Sequence, residues 1–379
     1  MYQVKTMNKI AKIGLSQLDD RFQVADEVAN EDAILVRSAK LHDYDFPASL
    51  QCIARAGAGV NNIPLDRAAE AGIVVFNTPG ANANGVKELA VTALLLASRK
   101  VAQGISWVKE QAAAGADIAA VVEKGKSAFV GPEIMGKTLS VIGLGAIGLL
   151  VANAGVALGM KVVGYDPFLS VKNALSLDPS IQVVPTMDEA FEAADYVSLH
   201  LPMLPSTKGT INEAAFGKMK DGVRVINLAR GELVDNASMK AALESGKCAA
   251  YVTDFPDSET AAMEGAVCIP HLGASTPESE DNCAVMACRQ VKDYMDNGNI
   301  VNSVNLPVLT MAWAAANRVC VISKGADAAA VLAAVPGVVA SASNTRGDYA
   351  YAIIDTNEAV DAAAVSAVPG VIRVRVLSK

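Results

Sequence analysis

The sequence predicts an α/β protein built from two doubly wound parallel-sheet domains, one of them discontinuous, and a small C-terminal module. Three observations predict it. A glycine-rich turn, Gly143-Leu-Gly-Ala-Ile-Gly148, sits between an apolar strand at 139–142 and an alanine-rich helix at 149–158. Short apolar strands alternate with helices on both sides of that turn, as they do around a parallel sheet. The tail repeats itself: Ala334-Val-Pro-Gly-Val-Val339 returns as Ala367-Val-Pro-Gly-Val-Ile372, 33 residues later.

The glycine turn carries the most specific chemistry. Gly143, Gly145 and Gly148 have G-x-G-x-x-G spacing inside a strand–helix–strand unit closed by Lys161–Tyr165. In such a unit the first glycine permits the tight turn, the second lets the backbone approach a pyrophosphate, and the third lets helix and strand pack closely. The free N–H groups at the helix N-terminus then face the anion. Asp166 follows Gly148 by 18 residues and ends the second strand, where a carboxylate accepts the ribose hydroxyls. It would repel a 2′-phosphate, and Pro167 to Ser170 supply no arginine to receive one. The cofactor this predicts is NAD, in a Rossmann-type domain.

Length and composition allow several domains with real cores. The chain has 379 residues, 52% hydrophobic and 19% charged, with a formal net charge of −8. Basic clusters are absent, which argues against a nucleic-acid partner. The longest apolar run, Leu89 to Ala97, is too short for a bilayer, and Met1-Tyr-Gln-Val-Lys5 does not read as a signal segment. The six cysteines lack C-x-x-C spacing and read as buried thiols of a reducing cytoplasm, with no metal site.

In chain order, strands are expected at 33–36, 52–55 and 74–75, each followed by a loop of small and polar residues. Ligands bind at the carboxyl ends of such strands. Arg37, Ser38, Arg55 and Gly57 are therefore candidate substrate contacts, with Lys126 reaching in from the polar loop 123–131. Residues 84–100 read as a long helix, and 101–135 as a further helix and a loop. After Asp166, strands are expected at 194–201, 222–228, 249–254 and 267–270, then a long helix at 277–295. These define a discontinuous, flavodoxin-like substrate domain (1–95 with 283–308) and an NAD domain (96–282). The tail, 315–379, has the β-α-β-β-α-β order of a ferredoxin-like module. Its last strand alternates apolar residues with Arg373 and Arg375, as a half-exposed strand would.

Oxidation of a 2-hydroxy acid requires a base for the hydroxyl proton and a cation for the carboxylate. Only three histidines exist. His42 lies in the polar string His42-Asp-Tyr-Asp45, His200 ends a strand beside Leu201, and His271 ends another in a glycine-containing turn. A strand-end histidine, His271 foremost, suits general acid/base work. Arg230 ends the strand at 225–228, where a guanidinium would hold a carboxylate in bidentate fashion. Glu259, 29 residues after Arg230 and 12 before His271, is one of several acids that could pair with the histidine. Asp254, Asp257 and Glu264 are the others.

Gly143-Leu-Gly-Ala-Ile-Gly148, Asn227-Leu-Ala-Arg-Gly-Glu-Leu-Val-Asp235 and Pro270-His-Leu-Gly-Ala-Ser-Thr276 resemble the signatures of the D-isomer-specific 2-hydroxy acid dehydrogenases. Val36-Arg-Ser38, Arg55-Ala-Gly-Ala-Gly-Val-Asn-Asn62 and Asn77-Thr-Pro79 resemble the family's substrate loops, and the tail resembles an ACT regulatory module. The resemblance implies Arg230, Glu259 and His271 as the catalytic trio. It implies NAD contacts from Thr78, Ala146, Ile147, Asp166, Leu201, Leu228, Ala229, Asp254 and the turn after His271, Gly273 and Ala274. As function it implies oxidation of 3-phosphoglycerate to 3-phosphooxypyruvate, opening the phosphorylated route to serine, by a cytoplasmic homo-oligomer, dimer or tetramer. Alternatives are a glyoxylate or hydroxypyruvate reductase, and a corepressor-like protein that binds other proteins in an NAD-dependent way. The chain departs from the family pattern twice. D-V-F-x-x-E-P is replaced by Asp254-Phe-Pro-Asp-Ser-Glu-Thr260, and the tail has no histidine in its first β-α connection, Ile322 to Asp327.

Overall fold

The computed structural model describes residues 1–379, which form two compact units. One comprises Met1–Asn82 with Pro277–Lys379, the other Ala83–Thr276. The division thus falls at 82/83 and 276/277 rather than at 95/96 and 282/283. The helix Ala83–Ser98 belongs wholly to the nucleotide unit, because Ala90, Ala93 and Leu94 pack on its sheet. The tail joins the first unit instead of standing alone. No helix is long and apolar enough to cross a membrane.

The first unit opens with β1 (Tyr2–Thr6), β2 (Phe22–Ala25), β3 (Ala33–Val36), β4 (Cys52–Arg55) and β5 (Val74–Phe76). They form a parallel sheet of order β2-β1-β3-β4-β5. Every residue of β3 and β5 is buried, as expected of short apolar strands covered on both faces. The nucleotide unit holds β6 (Thr138–Ile142), β7 (Lys161–Tyr165), β8 (Gln182–Val183), β9 (Tyr196–Leu199), β10 (Val223–Asn227), β11 (Cys248–Thr253) and β12 (Ala266–Cys268). Its order, β12-β11-β10-β9-β6-β7-β8, reverses direction between β6 and β9. At such a reversal the loops diverge and leave a crevice at the carboxyl ends of the strands.

The region after the helix Ala83–Ser98 contains two helices, Val101–Ala113 and Ile118–Gly125, and a 3-10 turn at Lys126–Phe129. Asp117 caps the second helix by accepting from the Ala120 amide.

The tail contributes β13 (Asn317–Lys324), β14 (Val338–Arg346), β15 (Tyr349–Thr356) and β16 (Val371–Ser378) in the antiparallel order β14-β15-β13-β16. One face of this sheet, with Val319, Val321 and Ile354, is covered by short helices that bring Val331 and Val365. The other face, with Cys320, Ile322, Tyr351 and Ile353, shares a core with Ala287, Val291 and Tyr294 of the helix Pro277–Asn297 and with the first sheet.

This docking corrects the reading of Arg373 and Arg375 as the solvent side of a half-exposed strand. Arg375 donates to the carbonyls of Tyr294 (3.0 Å) and Met295 (3.1 Å) and lies over the Tyr294 ring at 4.3 Å. Arg373 donates to the carbonyls of Leu50 (2.6 Å) and Ala71 (3.1 Å). Carbonyls at and just beyond the last turn of a helix have spare acceptor capacity, and a guanidinium fork adds donors to it. Beside them, Arg318 and Asp355 form a fully buried ion pair, Nε to Oδ1 at 2.7 Å and Nη2 to Oδ2 at 2.9 Å. The remaining Arg318 nitrogen serves the carbonyls of Asn297 and Met311.

The pair generates a prediction. Arg318→Met leaves Asp355 charged and buried, and should cost roughly 3–5 kcal/mol in chemical denaturation of the first unit. The double change Arg318→Met with Asp355→Leu should recover much of the loss. Equal destabilisation by the single and double changes would show that the pair does not govern this docking.

Candidate active site

The cofactor end is built by the turn after β6. Gly143 has φ +95°, and a Cβ there would lie 2.6 Å from the His200 carbonyl, so the first glycine is required by both conformation and space. At Gly148 a Cβ would stand 1.8 Å from the Gly143 carbonyl, so the helix Ala146–Ala157 seats against the strand only without a side chain. Around Gly145 the space is open, and no side chain caps the helix start there. The amides at Ala146 and Ile147 are thus left for an incoming anion.

Asp166 supports the same turn. Its Oδ2 accepts from the Leu144 amide at 2.9 Å and its Oδ1 from the Phe168 amide at 2.8 Å. A carboxylate has about four acceptor positions, so two remain for hydroxyl donors. Leu201 lies against the first glycine, its Cδ2 3.2 Å from where a Gly143 Cβ would be. His200 bonds Ser198 Oγ through Nε2 at 2.8 Å, and burial pushes its pKa down to about 4. It is neutral at physiological pH and occupied, which leaves His271 as the strand-end histidine with acid/base capacity.

The second cluster stands at the ends of β10, β11 and β12. Asn227, fully buried, accepts from the Ala229 amide (3.2 Å) and donates to the Arg230 carbonyl (2.8 Å), fixing the turn from Leu228 that presents Arg230. Asp254 is 1% exposed, and neither of its carboxylate oxygens has a hydrogen-bond partner. Burial raises its pKa, while the charge of His271, the neighbouring Gly273 backbone amide and, less, the charge of Arg230 pull it back. Gly273 passes close by: a Cβ on it would lie 3.6 Å from Asp254 Oδ2 and 3.2 Å from Val86, so the turn carrying Gly273 and Ala274 packs beside the carboxylate. Phe255 lies among these groups. Its ring centroid is 4.4 Å from that of His271, and the Arg230 guanidinium is over it at 5.4 Å.

Glu259 is not joined to His271. Its Oε2 accepts from Asn236 Nδ2 at 3.1 Å, and the same amide donates to Asp257 Oδ2 at 2.9 Å. Asp257 in turn accepts from the Thr260 amide and hydroxyl, both at 2.7 Å. The altered loop Asp254–Thr260 therefore ties Glu259 to Asn236. The carboxylate whose electrostatics couple to His271 is Asp254.

In the first unit, Arg55 ends β4 and its Nε donates to the Arg37 carbonyl at 3.1 Å. A Cβ at Gly57 would stand 2.4 Å from Arg55 Nη1, so this glycine makes room for the guanidinium. Arg37 forms an ion pair with Glu280 at 2.6 Å. Thr78 is fully buried, its amide bonded to the Gly57 carbonyl at 3.1 Å. Lys126 is in the other unit, on the exposed 3-10 turn, with its ammonium on Glu123 at 2.5 Å; nothing in its surroundings marks a substrate contact.

Three residues escaped the sequence reading. Asn8 gathers the amides of Arg37, Ser38 and Ala39 on one oxygen at 2.9–3.0 Å. Only the β1–β3 pairing brings it there. Asn227 and Phe255 stood inside quoted motifs, but their roles depend on neighbouring strands.

The orphaned Asp254 carboxylate carries a prediction. Its raised pKa means that the folded protein holds a proton where the unfolded chain has lost it, so stability falls as pH rises through that window above 3.8. At neutral pH the carboxylate stays buried and unpaired, at a cost of about 1–3 kcal/mol. Asp254→Asn should therefore raise the melting temperature without NAD at pH 7.5, by an amount that shrinks toward pH 4, and should weaken NAD binding. A variant less stable than the parent at pH 7.5 would contradict this.

Comparison with known proteins agrees with the geometry. Residues 91–273 match the family model "D-isomer specific 2-hydroxyacid dehydrogenase, NAD binding domain". The D-3-phosphoglycerate dehydrogenase of Rattus norvegicus is 35% identical over 296 residues, covering 76% of this chain and 53% of that protein. That of Bacillus subtilis is 32% identical over 329 residues, covering 82% and 60%. The chain thus spans little more than half the length of these relatives. Among solved structures, the NAD+-bound 3-phosphoglycerate dehydrogenase of Entamoeba histolytica aligns with TM-score 0.62 and 25% identity, over 81% of this chain and 99% of that one. A glyoxylate reductase from Paecilomyes thermophila aligns at 0.65 and 26%, over 80% and 98%. Over residues 91–273 the chain is thus similar to the NAD-binding domain of the D-isomer specific 2-hydroxyacid dehydrogenases.

Proposed function

We propose that the chain is an NAD-dependent dehydrogenase that oxidises 3-phosphoglycerate at C2 to 3-phosphooxypyruvate. The observation that carries the reaction type is the convergence of Arg230, His271 and the unpaired Asp254 at adjoining strand ends of the nucleotide unit. The substrate is supported by the likeness to D-3-phosphoglycerate dehydrogenases at 32–36% identity.

The residues present fit the cofactor. The uncapped helix start beyond Gly145 receives the pyrophosphate, Asp166 the ribose hydroxyls, and Asp254 an amide donor of the nicotinamide end. When bound, NAD supplies the two-electron acceptor for the hydrogen leaving C2. Arg230 holds the substrate carboxylate and draws electron density from the C2–O bond as it becomes a carbonyl. His271 takes the hydroxyl proton on a ring nitrogen. Glu259 joins this trio only if its loop releases it from Asn236. In the first unit, the candidate phosphate contacts are Arg55, Arg37 and the loop of Ser38 and Gly57. Thr78 and Leu201 complete the cofactor contacts. The protein acts in the cytoplasm as a homo-oligomer, and the C-terminal β-α-β-β-α-β sheet is an ACT-type module with a role in assembly.

A glyoxylate or hydroxypyruvate reductase is the rival reading, supported by the likeness to the Paecilomyes enzyme. Steady-state NAD reduction separates the two. Oxidation of 3-phosphoglycerate should far exceed that of glycerate and lactate, and His271→Asn should lower turnover about 10²–10⁴-fold while leaving NAD affinity nearly intact. Equal rates with and without the phosphate would overturn the substrate. An active His271→Asn would overturn the acid/base.

A further inference from the structure

We propose that Phe255 is the positioning residue of this site, a ring that holds the His271 imidazole and the Arg230 guanidinium in their working arrangement. This inference rests on the dehydrogenase reading above. The His271 side chain makes no hydrogen bond and no ion pair. The bonds at this residue run through its backbone carbonyl, which accepts from Ser275 Oγ at 3.4 Å. The imidazole is exposed, and its defined packing contact is the Phe255 ring, centroid to centroid 4.4 Å with the planes tilted by 44°. The carboxylate expected to orient it, Glu259, is engaged by Asn236. An exposed side chain without a partner samples several rotamers, and ordering it at each turnover costs conformational entropy. A ring packed against it removes that freedom beforehand.

Phe255 is itself anchored. Its amide donates to Thr253 Oγ1 at 3.1 Å, and Gly231 lies against its backbone, a Cβ there standing 3.5 Å from the Phe255 carbonyl. The ring therefore joins three strand ends: β10 through Arg230, β11 through its own backbone, and the turn after β12 through His271. It also suits the charge change of the reaction. The face of an aromatic ring attracts cations, so the contact strengthens as the imidazole becomes imidazolium, while the Arg230 charge is held by the same ring. An aliphatic residue of similar bulk would fill the space without that response.

The test compares Phe255→Leu and Phe255→Tyr with the parent in the full-length protein. Proton NMR of the histidine ring C–H signals is tractable because only three histidines are present, and His271→Asn assigns the one of interest. In the parent, the ring current of Phe255 shields the His271 protons. In Phe255→Leu these signals should move downfield, while Phe255→Tyr keeps them in place. In turnover, Phe255→Leu should lower kcat about 10–100-fold with KM for 3-phosphoglycerate and Kd for NAD within about twofold, and Phe255→Tyr should restore kcat. Unmoved His271 signals would overturn the contact. Moved signals with unchanged kcat would overturn the positioning role, as would a loss shared equally by NAD binding and kcat. A folded, NAD-binding parent that oxidises no 2-hydroxy acid would instead overturn the dehydrogenase reading, with the NMR arm still deciding whether the ring holds the imidazole.

Discussion

Gly148 has no room for a side chain, and that constraint shapes the nucleotide unit. A Cβ there would stand 1.8 Å from the Gly143 carbonyl, well inside van der Waals contact. Because both positions are bare, the helix Ala146–Ala157 descends onto β6 and directs its uncapped first turn at the crevice where the sheet order reverses. Gly143 extends the constraint sideways. Its missing side chain lets the His200 backbone close against it at the end of β9. Asp166 then holds the turn from the β7 side. A few close backbone approaches thus create the anion-binding end.

The cluster at the ends of β10, β11 and β12 is built differently. There the polar groups are left incomplete: Asp254 is buried without a donor, Arg230 is exposed at the end of its turn, and His271 leans on a ring. Incomplete satisfaction costs stability and is retained where a ligand completes it. Asn227 shows the contrast within one turn, because it satisfies the Ala229 amide and the Arg230 carbonyl, while the exposed Arg230 guanidinium bonds only locally, through Nη1 to the Ala229 carbonyl at 2.6 Å.

Much of this was legible in the sequence, for a physical reason. Gly143, Gly145, Gly148 and Asp166 act within one strand–helix–strand unit, so their spacing encodes their geometry. The strand-end positions of Arg230, Asp254 and His271 follow from apolar runs that stop at polar residues. What could not be read depends on distant neighbours. The alternation at Arg373 and Arg375 has the period of a half-exposed strand, yet its polar side faces helix and strand carbonyls some 80 to 320 residues away. The pairing of Glu259 was set by Asn236, at the start of the helix Asn236–Glu244, and Asn8 serves Arg37 only because β1 and β3 are neighbours. The domain boundary was misplaced because the apolar pattern of the helix Ala83–Ser98 runs on smoothly across it.

In the proposed reaction these strand ends remove hydrogen from C2 of 3-phosphoglycerate and pass it to NAD. Single-turnover reduction of NAD with substrate deuterated at C2 measures that directly. The expected result is slower NADH formation than with the protiated substrate, and one deuterium per turnover recovered at the nicotinamide. NADH formation without deuterium at the nicotinamide, or none at all from an enzyme that binds both ligands, would contradict it.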